Sequence, residues 1–254
     1  ARSKHKSGSR APLNAENGQG MQYGAPNNMM TNIPGLYAFG EVNFAFHGAN
    51  RLGANALLSC LFDGLFSGVS VVNYVNNEAP SKNPASGMQA GAFDAAAKAE
   101  QDRFDRLVAT CQMTGGVGKA PDPATNPYQI GKEMGDEMTA ASTVVKTEAR
   151  LKQCIGKLAE LRERASRMRL GDNAAWSNQA LSYARALGDM LIIAEAIALG
   201  GLERKESRGA HYRTDYPTRD DANFMKTTVA RYDVAKNGTT ITFQPIDATL
   251  IAPT

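Results

Sequence analysis

Apolar residues recur at helical spacing in five stretches of the chain, and these stretches predict five helices. The first helix is expected at about residues 54–75, where leucines and phenylalanines form a wide apolar face. The other four are expected near 88–113, 127–141, 144–169 and 173–201. The sequence after residue 88 is Ala-rich, charged and amphipathic, a pattern typical of an antiparallel helical bundle.

Two short segments predict strands. Leu36–Phe39 is apolar and lies between turn residues, with Gly40 directly after it. Thr239–Phe243 alternates between apolar and polar positions, and Asn237-Gly238 before it indicates a hairpin turn. A glycine at position 171 and a polar residue at 172 or 173 suggest the end of one helix and the cap of the next.

The composition along the chain predicts three parts: residues 1–82, a helical bundle at 88–202, and an extended C-terminal tail at 203–254. A Pro-, Ser- and Gly-containing linker separates the first two. The first thirty residues read as a loop, which is unusually long for a compact domain. The chain opens without a methionine, so we expect an α+β fragment of a longer protein.

The overall composition argues against several classes of protein. The 254 residues are 43% hydrophobic and carry a formal net charge of only +3, so a nucleic-acid partner is not expected. Three widely spaced cysteines argue against a disulfide framework or a zinc site, and no metal site is predicted. No signal peptide is visible and no uninterrupted apolar run reaches bilayer length, so we expect no direct membrane span.

Two glycine-rich segments only superficially resemble nucleotide-binding motifs. The segment Gly115–Lys119 is followed by Ala120, where a phosphate loop needs Ser or Thr, and it follows a predicted helix. Gly18-Gln19-Gly20 begins like a dinucleotide-binding turn, but Tyr23 stands at the third glycine position. We interpret both as loops.

Two other segments are chemically more informative. Glu41 follows Gly40 at the end of an apolar run, and such a carboxylate can accept hydrogen bonds from ribityl or ribose hydroxyls. Arg51 lies between glycines before a predicted helix, where its guanidinium and the helix N-terminus both favour an anionic ligand. An exposed strand-end carboxylate and a structural arginine are the alternative interpretations.

The motif Thr-x5-Tyr-Ala-x-Gly-Glu at 31–41, followed by His-Gly-Ala-Asn-Arg-Leu-Gly at 47–53, resembles a flavin-binding stretch of the succinate dehydrogenase and fumarate reductase flavoprotein family. The motif Glu-Ser-Arg-Gly-Ala-His at 206–211, with the aspartates and arginine of 215–221, resembles the family's C-terminal signature. The resemblance implies that residues 1–82 are part of an FAD-binding α/β domain. Arg-Leu-Gly and Gly-Ala-His disfavour the related L-aspartate oxidases, which remain an alternative.

The resemblance also implies roles at matching positions. Glu41 would bind FAD hydroxyls, and the backbone amides of Ala56 and Leu57 would face the flavin ring, although many relatives have Ser where Ala56 stands. Arg51 would bind a carboxylate of succinate or fumarate, with the Ala54 amide nearby.

His47 would have a positioning role. No catalytic residue is expected here, because the proton-transferring arginine and the dinucleotide fingerprint of the family belong to the preceding half. We therefore expect this chain alone to have no dehydrogenase activity.

The expected partners follow from the same resemblance: an iron–sulfur subunit, a membrane anchor and a dicarboxylate substrate. The expected location is peripheral, on the cytoplasmic face of the membrane. A non-catalytic helical interaction module is the alternative from a different class. The direction of the reaction and covalent attachment of the flavin stay open.

Overall fold

The computed structural model describes residues 22–31, 33–43, 47–50, 53–78, 91–174 and 176–246. The chain divides into two compact units, Ala1–Ala92 and Phe93–Thr254. Among the described residues it contains six α-helices and two small two-stranded sheets. The predicted α+β class with a helical bundle is confirmed.

The first unit is built on one long helix, α1, at Asn55–Asn73, which continues as a π-helical turn at Tyr74–Glu78. The predicted helix is therefore confirmed. The predicted strand at 36–39 is wrong: the described residues there form only a single bridge, Met30↔Tyr37, and a 3-10 turn then begins at Gly40. Gly40 adopts a positive φ of 69°, which ends the extended segment.

Helix α1 buries its polar face and exposes its apolar face. Four polar side chains one or more turns apart are buried: Ser59, Asp63, Ser67 and Ser70. The exposed side chains are large and apolar: Leu57, Leu58, Leu61, Phe62 and Leu65. This arrangement is the reverse of an ordinary surface helix. An exposed apolar face of this size normally marks an interaction surface.

Asn55–Glu78, at 24 residues, is also the one described stretch that could cross a membrane by length and composition alone. The sequence predicted no membrane span, because no uninterrupted apolar run reaches bilayer length. Asp63 and Asn73 do interrupt this stretch, but its residues are apolar on average. Core helices of water-soluble proteins meet the same two criteria.

The second unit contains four long helices, of which the last three form a bundle: α2 (Ala92–Ala109), α3 (Pro127–Ser142), α4 (Glu148–Ala165) and α5 (Gln179–Glu203). A 3-10 turn at Thr110–Thr114 follows α2. The last three helices pack around one core of fully buried side chains, including Ile130, Leu158, Leu161, Leu187 and Leu191. Each such side chain contributes about 1.5–3 kcal/mol by leaving water.

Side chains before three of these helices define where they begin. Asn126, Thr147 and Asn178 each accept a hydrogen bond from a backbone N–H in the first turn. The last helix thus begins at Gln179, later than predicted, because Asp172 instead accepts from Ala174 N in a local turn at 2.9 Å.

The prediction that Gly171 ends a helix is wrong, because α4 already ends at Ala165. Its carbonyl accepts a 2.8 Å hydrogen bond from Gly118 N. A Cβ at position 171 would lie 2.5 Å from the Lys119 carbonyl oxygen. The glycine is therefore required by a close approach of two backbone segments.

The residues after α5 fold onto the same unit. A two-residue strand, β1 (Val145–Lys146), pairs in parallel with β2 (Tyr212–Arg213). After a short helix α6 (Asp221–Phe224), strands β3 (Lys226–Asp233) and β4 (Gly238–Pro245) form an antiparallel hairpin that contacts α5. The predicted strand and hairpin are confirmed, with Asn237 at a positive φ of 49° closing the turn.

Candidate functional site

The Glu41 segment is held against α1 by its neighbour Gly40. Gly40 N donates a 2.7 Å hydrogen bond to Asp63 Oδ2, and both residues are buried. A Cβ on Gly40 would lie 2.5 Å from Cys60 Sγ, so only glycine allows this approach to the helix. Glu41 itself is exposed, and within the described part of the chain its carboxylate has no hydrogen-bond partner. It is available to a ligand.

The His47 turn is held against the same helix by Ser59. Ser59 Oγ lies 3.3 Å from His47 Nε2 and 2.9 Å from the Ala56 carbonyl oxygen. The hydroxyl has one proton, which it donates to Ala56 O, so it accepts from His47 Nε2–H. His47 Nδ1 is buried without a partner among the described residues. Arg51 lies outside the described residues.

The start of α1 offers backbone donors. Ala54 precedes the helix in a left-handed conformation, with φ 59°, and its side chain cannot cap the helix. The amides of Ala56 and Leu57 lie in the first turn, where a helix leaves its N–H groups without internal partners. These amides and the helix dipole favour an electron-rich or anionic group.

Beneath these segments lies a buried polar layer. Asp63 Oδ1 and Ser67 Oγ are buried and lack partners among the residues that the structure describes. Burial raises the pKa of the Asp63 carboxyl, and the Gly40 hydrogen bond and the nearby His47 only partly oppose this. Asp63 and Ser59 were not predicted as site residues from the sequence, although two polar residues four apart in an apolar helix were a usable signal.

The groups present in these segments are of the kinds that can hydrogen-bond to the hydroxyls and the ring of a flavin nucleotide. An exposed carboxylate accepts from hydroxyls, free helix-start amides donate, and a buried imidazole nitrogen lacks a partner. The described residues contain no group of three or more His, Cys, Asp or Glu that could hold a metal ion.

The C-terminal motif forms an ion-pair cluster in the second unit. Glu206 is fully buried and accepts hydrogen bonds from Arg204 Nη1 at 2.5 Å and from Arg208 Nε at 2.8 Å. Its Oε2 accepts from Asp220 N at 2.9 Å. Although burial opposes it, these bonds lower the pKa of Glu206, which keeps the carboxylate charged.

His211 and Arg213 of the same motif also have structural partners. His211 Nε2 lies 3.1 Å from the Arg204 carbonyl oxygen, and burial lowers the pKa of the imidazole. Arg213 is fully buried and pairs with Asp215. The motif therefore stabilises the segment after α5 through its own ion pairs.

Comparison with known proteins shows which flavoproteins this chain resembles. Residues 131–254 match the family model described as fumarate reductase flavoprotein C-term. The chain is 38% identical over 224 residues to the succinate dehydrogenase flavoprotein subunit of Bacillus subtilis, covering 88% of this chain and 36% of the relative. It is 36% identical over 228 residues to the fumarate reductase flavoprotein subunit of Haemophilus influenzae, covering 89% of this chain and 35% of the relative.

A solved structure of an Escherichia coli quinol fumarate reductase has the same fold. It is 32% identical, with a TM-score of 0.74, over 89% of this chain and 36% of the solved chain. The fold and the motifs thus match those of a part of flavoproteins named as succinate dehydrogenase and fumarate reductase subunits. The chain resembles the C-terminal part of this family, and it spans about a third of the length of the relatives that it matches.

Proposed function

We propose that this chain supplies one side of the FAD and dicarboxylate site of a flavoprotein that interconverts succinate and fumarate. The exposed Glu41 carboxylate, next to a Gly40 that contacts Cys60 and Asp63 of α1, is the observation that carries this proposal. These residues lie within the segment that relatives named as succinate dehydrogenase and fumarate reductase flavoprotein subunits share with this chain.

In this proposal each residue binds or orients a group. The Glu41 carboxylate accepts hydrogen bonds from FAD hydroxyls, and the amides of Ala56 and Leu57 donate toward the flavin ring. Arg51 binds a substrate carboxylate with two parallel hydrogen bonds, assisted by the Ala54 amide. The bound flavin supplies the site that exchanges a hydride with the dicarboxylate.

The exposed apolar face of α1 supports completion of the site by further polypeptide. Leu57, Leu61 and Leu65 are 65–78% exposed, whereas Asp63 on the opposite face is 0% exposed. Large apolar side chains at this exposure favour burial against another surface. The relatives are about three times as long as the matched region, so the remaining part of the same flavoprotein is a suitable cover.

We further propose that electrons pass to an iron–sulfur subunit bound to a membrane anchor, which makes the flavoprotein peripheral on the cytoplasmic face of the membrane. Structures named as quinol fumarate reductases share the fold, which supports this assignment.

The test joins this chain to the part of the Bacillus subtilis relative that it does not match. We expect the joined protein to bind FAD, detected by flavin absorbance, and to reduce a dye with succinate as electron donor. This chain alone should do neither. A folded joined protein without flavin absorbance, or succinate oxidation by this chain alone, would contradict the proposal.

Two matched variants separate the roles in the joined protein. Arg51→Lys keeps the charge but loses the planar fork, so the KM for succinate should rise while FAD stays bound. Arg106→Lys, an exposed arginine of α2, is the control and should leave KM unchanged. Equal KM values in all three proteins would contradict the proposal that Arg51 binds a carboxylate of the substrate.

A further inference from the structure

Two polar side chains on the buried face of α1 each hold a different loop of the proposed site. Asp63 accepts from Gly40 N at 2.7 Å, next to Glu41. Ser59 lies 3.3 Å from His47 Nε2, in the turn that precedes Arg51. Because Ser59 and Asp63 are four residues apart, they occupy neighbouring positions on one helix face. One rigid helix thus carries the partners of both loops.

The Gly40 amide depends on the buried Asp63 carboxylate as its hydrogen-bond acceptor. Asp63 is 0% exposed, and its Oδ2 is the one hydrogen-bond partner of the Gly40 amide in the described structure. Without that acceptor a buried N–H would lose its partner, which is costly in a protein interior. The segment would then move until the amide reached water, and Glu41 would move with it.

The close approach at Gly40 strengthens the same restraint. Cys60 Sγ would lie 2.5 Å from a Cβ at position 40, so the backbone already lies directly on the helix. The contact with Cys60 and the hydrogen bond to Asp63, both made by α1, leave the Glu41 backbone few alternative positions. The distance from Glu41 to the helix start is therefore largely determined by α1 itself.

We infer that Asp63 is a positioning residue for FAD binding: through the Gly40 amide it fixes Glu41 relative to α1, so that Glu41 and the amides at the start of the helix can bind one FAD molecule. Ser59 does the same for the His47 turn. The inference rests on the proposed function, since it assumes that Glu41 and the amides of Ala56 and Leu57 bind the same cofactor.

The experiment compares two substitutions of similar size in the complete, FAD-loaded flavoprotein that carries this sequence. Asp63→Asn keeps an acceptor for Gly40 N, while Asp63→Leu removes it. We expect Asp63→Leu to raise the dissociation constant of FAD about tenfold, which corresponds to about 1.4 kcal/mol. Asp63→Asn should stay within about twofold of the unsubstituted protein, because the hydrogen bond survives.

The matched control is Ser67→Ala. Ser67 is buried on the same face of α1, one turn after Asp63, and its hydroxyl has no partner among the described residues. This change removes a buried polar group without affecting either loop, so FAD affinity should not change. Urea unfolding of each apoprotein shows whether a variant has lost the fold.

A second measurement separates positioning from general destabilisation. At saturating FAD, the KM for succinate depends on Arg51 and Ala54, so Asp63→Leu should leave KM unchanged while it weakens FAD binding. FAD affinity unchanged in Asp63→Leu would overturn the inference, as would an equal loss in Asp63→Asn or a parallel rise in KM. Absence of flavin binding by the unsubstituted flavoprotein would overturn the proposed function as well.

Discussion

Arg213 and Asp215 form a bidentate ion pair, with Nε–Oδ1 and Nη2–Oδ2 distances of 2.7 Å, between the end of one helix and the start of another. Arg213 Nη1 donates to the Gly201 carbonyl oxygen near the end of α5 at 2.8 Å. Asp215 Oδ2 accepts from Glu148 N at the start of α4 at 2.7 Å. A cation thus meets a helix C-terminus and an anion meets a helix N-terminus.

This ion pair predicts an acid-dependent loss of stability. The hydrogen bond from Arg213 lowers the pKa of Asp215 to about 2, from an ordinary value near 3.8. Because the pKa is lower in the folded state, the stabilisation is complete above the unfolded pKa and disappears as the pH falls through the folded pKa. Asp215→Asn should reduce the free energy of unfolding near neutral pH by about 2 kcal/mol, and by progressively less below about pH 4.

Urea unfolding of the second unit between neutral and acidic pH measures this difference. The control is Asp136→Asn, whose side chain is 67% exposed and pairs with Lys132 within α3. Exposed pairs of this kind contribute about 0–1 kcal/mol, so this variant should follow the unsubstituted protein. A pH-independent difference between Asp215→Asn and the unsubstituted protein would contradict the assignment.

Glu206 should be one of the most sensitive positions in the second unit. Its carboxylate is fully buried between Arg204 and Arg208, whose side chains are 12% and 18% exposed. Glu206→Ala would leave two largely buried guanidinium groups without this partner and should cost about 3–5 kcal/mol. Asp221→Ala removes a more exposed partner of Arg208 and should cost less. Equal unfolding midpoints for the two variants would be inconsistent with this cluster.

Two glycines of the same unit should respond to alanine in opposite directions. At Gly171 a Cβ would lie 2.5 Å from the Lys119 carbonyl oxygen, so Gly171→Ala must separate two backbone segments and should destabilise the fold by about 1–3 kcal/mol. At Gly156, inside α4, the added Cβ would have no atom within 4 Å apart from its chain neighbours and the backbone of its own helix. Gly156→Ala should stabilise by about 0.5–1 kcal/mol, because alanine favours the helix. Thermal unfolding of both variants tests the pair.

The helices could be predicted from sequence because periodicity and capping are local. The predicted first residues of the helices were less accurate. Thr147 and Asn178 show the reason, because a capping side chain is recognised only when its N–H partner is known. The segment Leu36–Phe39 was predicted as a strand, since its apolar run is strand-like. Whether this segment forms a strand depends on a neighbouring strand to pair with, which the local sequence does not reveal.

The orientation of α1 could not be predicted either. Its leucines form the wide apolar face that the sequence indicated, yet Leu57 and Leu65 are 78% exposed while Ser67 is buried. Periodicity shows that a helix has two faces, but it does not show which polypeptide covers each. For the same reason Glu41 was predicted as a site residue, whereas the Asp63 contact behind it required the structure.

Glu41 and the start of α1 are proposed to form one side of an FAD site. The most direct measurement is the FAD dissociation constant of the complete flavoprotein with Glu41 and with Glu41→Gln. We predict tight FAD binding by the unsubstituted protein and a loss of about tenfold in Glu41→Gln, because hydrogen bonds to a charged acceptor are about twice as strong as neutral ones. FAD affinity that is the same in both proteins would contradict the account.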